Sequence, residues 1–354
     1  MPLEFGICVP TGGGWLRVRS RAAAPDAADL LRLGEAADRV GYDFCYLPEH
    51  YLNAVYGPAY PVLDAWVLAA GIAARTRRIR VITAVQPGFK APGVVAKMGA
   101  TIAAMRPHAF GLTIIAGWWQ LEAEMHGDRW LPHGERYRRA GEYLACIDAL
   151  WRHELAEVDG RDYRLSRGTA SPRPNPLPLL MVAGESDAAI DLAARAADML
   201  FVNGGPAGQI RELVGRIKSR ARNEHGRSVR VMLSAFALLR DTDREAALAA
   251  EALAADADEE TLRYFESQVE SSVVAHNRGA ARDRIEANLG LTSGLIGDRA
   301  TIIRRIHELA EAGVDAIALK LESNADEPAR FYRKVIGPLR QTADLAGVTS
   351  RNGG

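Results

Sequence analysis

The feature that most constrains this chain is an alternation. Eight short apolar runs are each followed by a stretch with helical character. The runs are EFGICVP, FCYLPEH, RVITAV (Arg80 to Val85), FGLTII (Phe110 to Ile115), LPLLMVAG, DMLFVNGG, RVMLSAFALLR (Arg230 to Arg240) and VDAIALKLE (Val314 to Glu322). Each reads as a buried strand. The helices between them carry start and stop signals. The segment Asp29 to Gly41 ends on a glycine, Asp64 stands where an N-cap belongs, and Pro92 lies near the start of the third helix. A fourth helix is expected from Arg136, and a closing one over Glu327 to Leu339. Strict strand-helix alternation predicts an α/β fold, a (β/α)8 TIM barrel, as a single domain over residues 1–354. A doubly wound sheet is the competing architecture, but no G-x-G-x-x-G follows the first strand. The PTGGGW turn (Pro10 to Trp15) lacks the GKS/T of a phosphate-binding P-loop.

One irregularity stands out, between the seventh and eighth strands. Residues Asp243 to Ile296 hold an acidic helix and a polar arm with Arg278 and Arg282. A barrel loop of that length is expected to act as a lid over the C-terminal face. Formal net charge is zero, which offers no broad basic field to nucleic acid or an anionic membrane. Cys8, Cys45 and Cys146 sit in apolar runs without a CxxC, as buried thiols of a reducing compartment do. No apolar run approaches the roughly 20 residues of a membrane span, and the N-terminus lacks a secretory pattern. A cytoplasmic protein is expected.

The candidate site residues gather where strands end, which is where parallel α/β proteins bind ligands. The fourth strand runs into Trp118, Trp119 and Glu122, and an Arg136-Tyr137 pair follows. The second strand ends in LPEHY, placing Glu49, His50 and Tyr51 at the barrel mouth. His50 suits proton transfer, or else a hydrogen-bonded supporting role. MVAGESD puts Gly184, Glu185 and Ser186 between a strand and a helix, where backbone N–H groups suit a phosphate. Ser186 or Asp187 as a simple N-cap is the other reading. The eight histidines form no HxH or HExxH, so no metal site is expected, and no G-x-S-x-G elbow occurs.

Several blocks in this order resemble the bacterial luciferase-like flavin monooxygenases: VPTGGGWL, GWWQLEAEMHG followed by ERY, AGESD, ADMLFVNGG, and LIGDRATIIRRIHELAEAGVDAIAL from Leu295 to Leu319. Within that family the chain resembles the two-component alkanesulfonate and pyrimidine monooxygenases, the pyrimidine enzymes most. The resemblance implies reduced FMN (FMNH2) at the C-terminal mouth, O2 as co-substrate, a separate NAD(P)H:flavin reductase and a homo-oligomer, dimer or tetramer. It implies Pro48 and Glu49 against the flavin ring, Glu122 bonded to the flavin, Arg136 and Tyr137 on the ribityl-phosphate arm, and Ser186 on the phosphate. Trp15, Tyr51, Trp118, Asn203 and the lid would enclose a small substrate: a heterocyclic amide, an organosulfur compound or an amine. The family's fourth strand usually carries Asn and, three residues later, Thr; here these are Thr113 and Ala116. Thr113 keeps part of the Asn hydrogen-bonding capacity and Ala116 none, so His50 and Thr113 are the catalytic candidates. Three alternatives stand beside this: a deazaflavin-dependent hydride-transfer enzyme of the same superfamily, a flavin-binding protein without turnover, and a metal-dependent hydrolase.

Overall fold

Runs apolar on both faces need cover on both faces, and the chain supplies it by closing its strands into a ring with helices outside. The computed structural model describes residues 2–18, 24–269, 290–322 and 326–341. In chain order the first half holds β1 (Glu4–Cys8), α1 (Ala27–Val40), β2 (Phe44–Leu47), α2 (Ala65–Arg75), β3 (Arg80–Val85), α3 (Pro92–Ala103), β4 (Phe110–Ile115), α4 (Gln120–Met125) and α5 (His133–Arg152). Then come β5 (Ala156–Asp159), β6 (Arg164–Gly168), β7 (Leu179–Ala183), α6 (Asp187–Ala196), β8 (Met199–Val202), α7 (Ala207–His225) and β9 (Arg230–Leu239). Last are α8 (Asp243–Ala255), α9 (Glu259–Val269), β10 (Leu295–Gly297), α10 (Arg299–Glu311), β11 (Ala316–Lys320) and α11 (Glu327–Phe331). A π turn at Tyr332–Ile336 carries the closing helix onward.

Parallel pairing runs β1-β2-β3-β4-β7-β8-β9-β11 and returns to β1, where Glu4 faces Ala316. This is the expected (β/α)8 barrel. The side chains alternate as closure requires. Phe5, Ile7, Val81, Leu112, Val182 and Leu233 face the helices. Phe44, Tyr46, Ile82, Met181, Met199, Met232 and Phe236 fill the bore. The caps follow the sequence signals. Asp64 accepts hydrogen bonds from the N–H groups of Trp66 and Val67, Gly41 ends α1 at φ 107°, and Pro92 opens α3.

Three details differ from the sequence reading. The helix expected from Arg136 begins at His133, because Pro132 sets the entry. A second irregularity, the antiparallel β5-β6 hairpin, lies between α5 and β7. Its residues are mostly polar and an isolated hairpin is marginal, so local pattern gave no signal. It is held by tertiary contact: Ala156 is buried, and Tyr163 packs on Tyr143 at 5.2 Å. The stretch Asp243–Ile296 is in part regular structure. The Asp243 carboxylate accepts from the Asp298 N–H at 2.8 Å and the Thr301 hydroxyl at 2.9 Å, and β10 pairs with the end of β9. Arg278 and Arg282, the residues expected to serve the lid from the polar arm, lie outside the described residues, as does Arg284.

Candidate active site

A cavity opens at the C-terminal ends of the barrel strands, the face on which barrels of this type place their chemistry. Its wall includes Pro48 and His50 after β2, Ile115 to Trp118 after β4, Gly184 after β7, Asn203 after β8, Ser234 of β9 and Lys320 of β11. Aromatic rings form much of the enclosure. Tyr46 and Phe201 stack at 4.5 Å and 3°, and Trp118 stacks on Trp119 at 5.6 Å. From α9, Phe265 packs on Trp118 at 5.7 Å, while Gln268 accepts from the Trp119 indole N–H at 3.1 Å. The described first half of the stretch between β9 and β11 therefore covers the mouth.

Two buried carboxylates organise one side. Glu122 lies 1% exposed on α4, and its Oε1 accepts from the backbone N–H groups of Tyr51 (2.8 Å) and Leu52 (3.2 Å). Its Oε2 accepts from Gln86 Nε2 at 2.9 Å, and His50 Nδ1 donates to the same carboxylate at 3.2 Å. Burial opposes its charge, but the His50 imidazolium and these donors outweigh that and hold the carboxyl below its ordinary range. The reciprocal holds for His50. Burial pulls its pKa down, yet Glu122 and then Glu49 raise it above 6.5. Its ring meets Trp118 edge-on at 5.7 Å. With Nδ1 committed to Glu122, Nε2 is the atom left for proton transfer.

Glu49 is 2% exposed and accepts from Trp66 Nε1 (3.0 Å), the Gln86 N–H (2.8 Å) and Lys90 Nζ (2.6 Å). Burial pushes its carboxyl upward against the pull of Lys90. Lys90 also contacts the Tyr51 hydroxyl. Glu49 and Glu122 are thus joined through Gln86 and stand behind the cavity wall, while Pro48 and His50 form it. Tyr51 packs between Phe89 and His126 rather than on the wall.

Across the mouth, Gly184 adopts φ 133°, and a Cβ there would lie 2.3 Å from the Tyr137 hydroxyl. A side chain is excluded both by backbone conformation and by that ring. Tyr137 Oη donates to the Ala183 carbonyl at 3.4 Å and lines the cavity. Ser186 caps α6 through the Ala189 N–H at 3.3 Å and also bonds Tyr137. Glu185 accepts from the Asn203 N–H at 2.8 Å. Arg136 lies behind the wall, its guanidinium over Trp130 at 4.0 Å and bonded to the Leu131 carbonyl at 3.0 Å. Thr113 points into the bore below Ile115, fully buried, with its hydroxyl 3.6 Å from Met181 Sδ. Trp15 is on the wall.

Sequence reasoning missed Gln86, Ser234, Phe265 and Lys320. Only Lys320 left a signal, as a lone lysine inside the apolar run VDAIALKLE. Among the described residues no cluster of His, Cys, Asp and Glu is arranged to hold a metal, and no helix is long and apolar enough to cross a membrane.

A strand-end cavity with a buried acid-histidine pair, walled by aromatic rings, is a small-molecule site at the mouth of a (β/α)8 barrel. The chain belongs to the luciferase-like monooxygenase family, which it matches over residues 3–316. It is 30% identical over 352 residues to the FMNH2-dependent dimethylsulfone monooxygenase of Pseudomonas putida, covering 96% of each chain. It is 28% identical over 348 residues to the enzyme of the same description from Pseudomonas fluorescens (strain Pf0-1), covering 96% of this chain and 95% of that one. The crystal structure of a long-chain alkane monooxygenase superposes with a TM-score of 0.80 at 16% identity, covering 97% of this chain and 92% of that one. At that identity the likeness shows the fold alone.

Proposed function

We propose that the protein is the oxygenase of a two-component system. A separate NAD(P)H:flavin reductase delivers reduced FMN to the cavity at the barrel mouth, where O2 is used to oxygenate a small organosulfur compound. The observation that carries this reading is the Glu122-held His50 facing an aromatic-walled cavity at the strand ends. The cofactor is reduced FMN with O2 as co-substrate, in keeping with the FMNH2-dependent relatives along nearly the whole chain. Their sulfone substrate supports the organosulfur class over a pyrimidine or an amine.

The residues fit such a cofactor. A planar ring matches walls built from Tyr46, Trp118 and Phe201, and the Ser234 hydroxyl, buried in the wall, has no hydrogen-bond partner among the described residues. Tyr137, the side-chain-free Gly184 and Ser186 would hold the ribityl-phosphate arm, with Arg136 behind them adding positive charge. When bound, reduced FMN supplies the electron pair that lets one atom of O2 enter the substrate and the other leave as water. The protein does the rest. Trp15, Trp118 and Phe265 exclude water. Glu122 fixes the His50 tautomer, and His50 Nε2 moves the proton. The test is oxygen uptake with a flavin reductase, NADH and FMN against dimethyl sulfone, methanesulfonate, uracil and a simple amine. Oxygenated product from a sulfur compound is expected. Product from uracil alone would return the pyrimidine reading, and oxygen uptake without any product would refute a monooxygenase acting on these classes.

A further inference from the structure

Two buried carboxylates stand behind the cavity wall, and one glutamine joins them. Gln86 is the residue after β3 and is buried. Its side-chain Nε2 donates to Glu122 Oε2 at 2.9 Å and lies 3.4 Å from the Glu49 carbonyl oxygen. Its backbone N–H donates to Glu49 Oε2 at 2.8 Å. Both neighbours of Nε2 are acceptors, so the amide has one sensible orientation: turned over, it would set its own oxygen against a carboxylate. The other contacts of the Glu122 carboxylate come from a single loop. Tyr51 and Leu52 donate their N–H groups to Oε1, while His50 Nδ1 lies 3.2 Å from Oε1 and 3.3 Å from Oε2. Among the described residues Oε2 therefore has one donor besides the histidine, and it comes from the neighbouring strand. The terminal torsion of a glutamate is soft. The plane of this carboxylate is fixed because the loop after β2 holds one oxygen and Gln86 holds the other.

We infer that Gln86 is a positioning residue for the proposed reaction: its side-chain amide keeps the Glu122 carboxylate ionised and aimed at His50. The inference rests on the reading of His50 as the proton-transfer group and adds the residue that poises it. Gln86 treats the two acids unequally. Glu49 takes only a main-chain N–H from it and leans on Lys90 at 2.6 Å and Trp66 Nε1 at 3.0 Å. Glu122 bonds no lysine or arginine among the described residues, and its one basic partner is His50. The two carboxyls are accordingly driven apart, burial pushing Glu49 upward while His50 and then Gln86 hold Glu122 down against its own burial. A protonated Glu122 would stop accepting from Nδ1 and so release the bond that leaves Nε2 for proton transfer. The remaining charged groups around the pair do not replace Gln86. Glu49 and Tyr51 share the loop of His50, with Lys90 and Asp64 beyond Glu49. His126 bonds the Glu122 carbonyl rather than its carboxylate, at 2.9 Å, and Arg136 of α5 is turned onto Trp130.

Gln86→Met tests this, because it keeps the length of the side chain, removes the donor to Glu122 and leaves the backbone N–H to Glu49 in place. The Glu122 carboxyl is followed by carbon NMR titration of glutamate-labelled protein without flavin, its signal assigned with Glu122→Gln. In Gln86→Met the Glu122 midpoint should rise by about one pH unit or more, the tenfold expected of one hydrogen bond to a charged group. The Glu49 midpoint should move less. With a flavin reductase, NADH and FMN present, the acid limb of kcat against pH should shift upward with Glu122. A glutamine with a merely structural role would lower the melting temperature at every pH and leave the Glu122 midpoint and the acid limb where they are, and that result overturns the inference. If Gln86→Met does not fold, Gln86→Asn decides on the same readouts, since it keeps an amide but withdraws it from Glu122 by one methylene. A rise in both is expected, and parental values in Gln86→Asn overturn the inference. A Glu122 midpoint that rises in a protein that oxygenates nothing sinks the monooxygenase reading and leaves the hold of Gln86 on Glu122 standing. Oxygenation with an unmoved acid limb sinks the inference alone.

Discussion

The two ends of the barrel both use carboxylates to hold backbone N–H groups, but bury them differently: Asp43, Asp198 and Asp315 keep side-chain exposures of 33%, 50% and 30%, against 1% for Glu122 and 2% for Glu49. At the N-terminal end an aspartate precedes a strand and grips the first residues of its neighbour. Asp43 accepts from the Phe5 N–H at 2.7 Å, Asp198 from Leu180 at 2.9 Å and Asp315 from Val231 at 2.8 Å. Glu4 bridges Arg80 and Arg230 there. At the C-terminal end Glu49 and Glu122 also take backbone N–H groups, and their side-chain partners Lys90 and His50 are only 17% and 19% exposed, less than the Arg340 (34%) and Lys218 (32%) that pair with Asp43 and Asp315. A partly exposed carboxylate that ties neighbouring strands and meets a surface base is a staple. One bound to a base that faces a cavity, as Glu122 is bound to His50, belongs to the pair proposed for proton transfer. Of these acids only Glu49 and Glu122 are almost fully buried, and their partners tell those two apart: His50 lines the cavity and Lys90 does not.

The sharpest way to break this contrast is to remove the base. His50→Ala should keep FMN binding and lose about 100- to 10,000-fold in product formation, with the oxygen consumed appearing as hydrogen peroxide. Product and peroxide yields per FMNH2 oxidised measure it, and parental coupling in the variant would make His50 structural. The opposite end should behave otherwise. Asp315→Ala leaves a strand N–H unpaired, which should cost about 1–3 kcal/mol of unfolding free energy in urea titrations with turnover per folded enzyme unchanged. A drop in turnover at parental stability would dissolve the distinction between the faces. Next in size, Tyr137→Phe should weaken FMN binding roughly two- to tenfold, the worth of one neutral hydrogen bond. Unchanged affinity would move the ribityl-phosphate arm away from Gly184 and Ser186.

The smallest effect expected is on pH dependence. The His50 pKa is raised in the fold, so its contribution to stability is complete below its ordinary value of 6.5 and fades as pH climbs through the raised folded value. Glu122 is lowered, so its contribution is present above its ordinary 4.5 and is lost as pH falls through the folded value. Melting temperatures across this range should therefore decline above about pH 6.5 in the parent and lose that decline in His50→Gln. A parallel decline in both would show that the pair does not hold a proton.

Much of the fold was legible because it is written in local periodicity. Eight continuous apolar runs need cover on both faces, and Gly41, Asp64 and Pro92 carry cap chemistry that acts within a few residues. The β5-β6 hairpin was not legible, because Tyr163 and Ala156 gain their burial only from α5. The site was legible in part. Strand ends point to His50, Trp118, Tyr137 and Gly184, and these do meet at one cavity. The strand-end argument does not say which way a side chain faces. Thr113 turns into the bore, Tyr51 toward Phe89, and Arg136 onto Trp130.

What the sequence by itself determined is the barrel and the face that carries the chemistry, since both follow from the order of strands and helices. What only the tertiary structure decided is who partners whom. Glu122 is separated from His50 by 72 residues, and Ser234 and Lys320 share one cavity wall only through the register of two parallel strands. Hydrogen bonds and charges act over a few ångströms of space, and closing the barrel is what brings these distant residues within that reach.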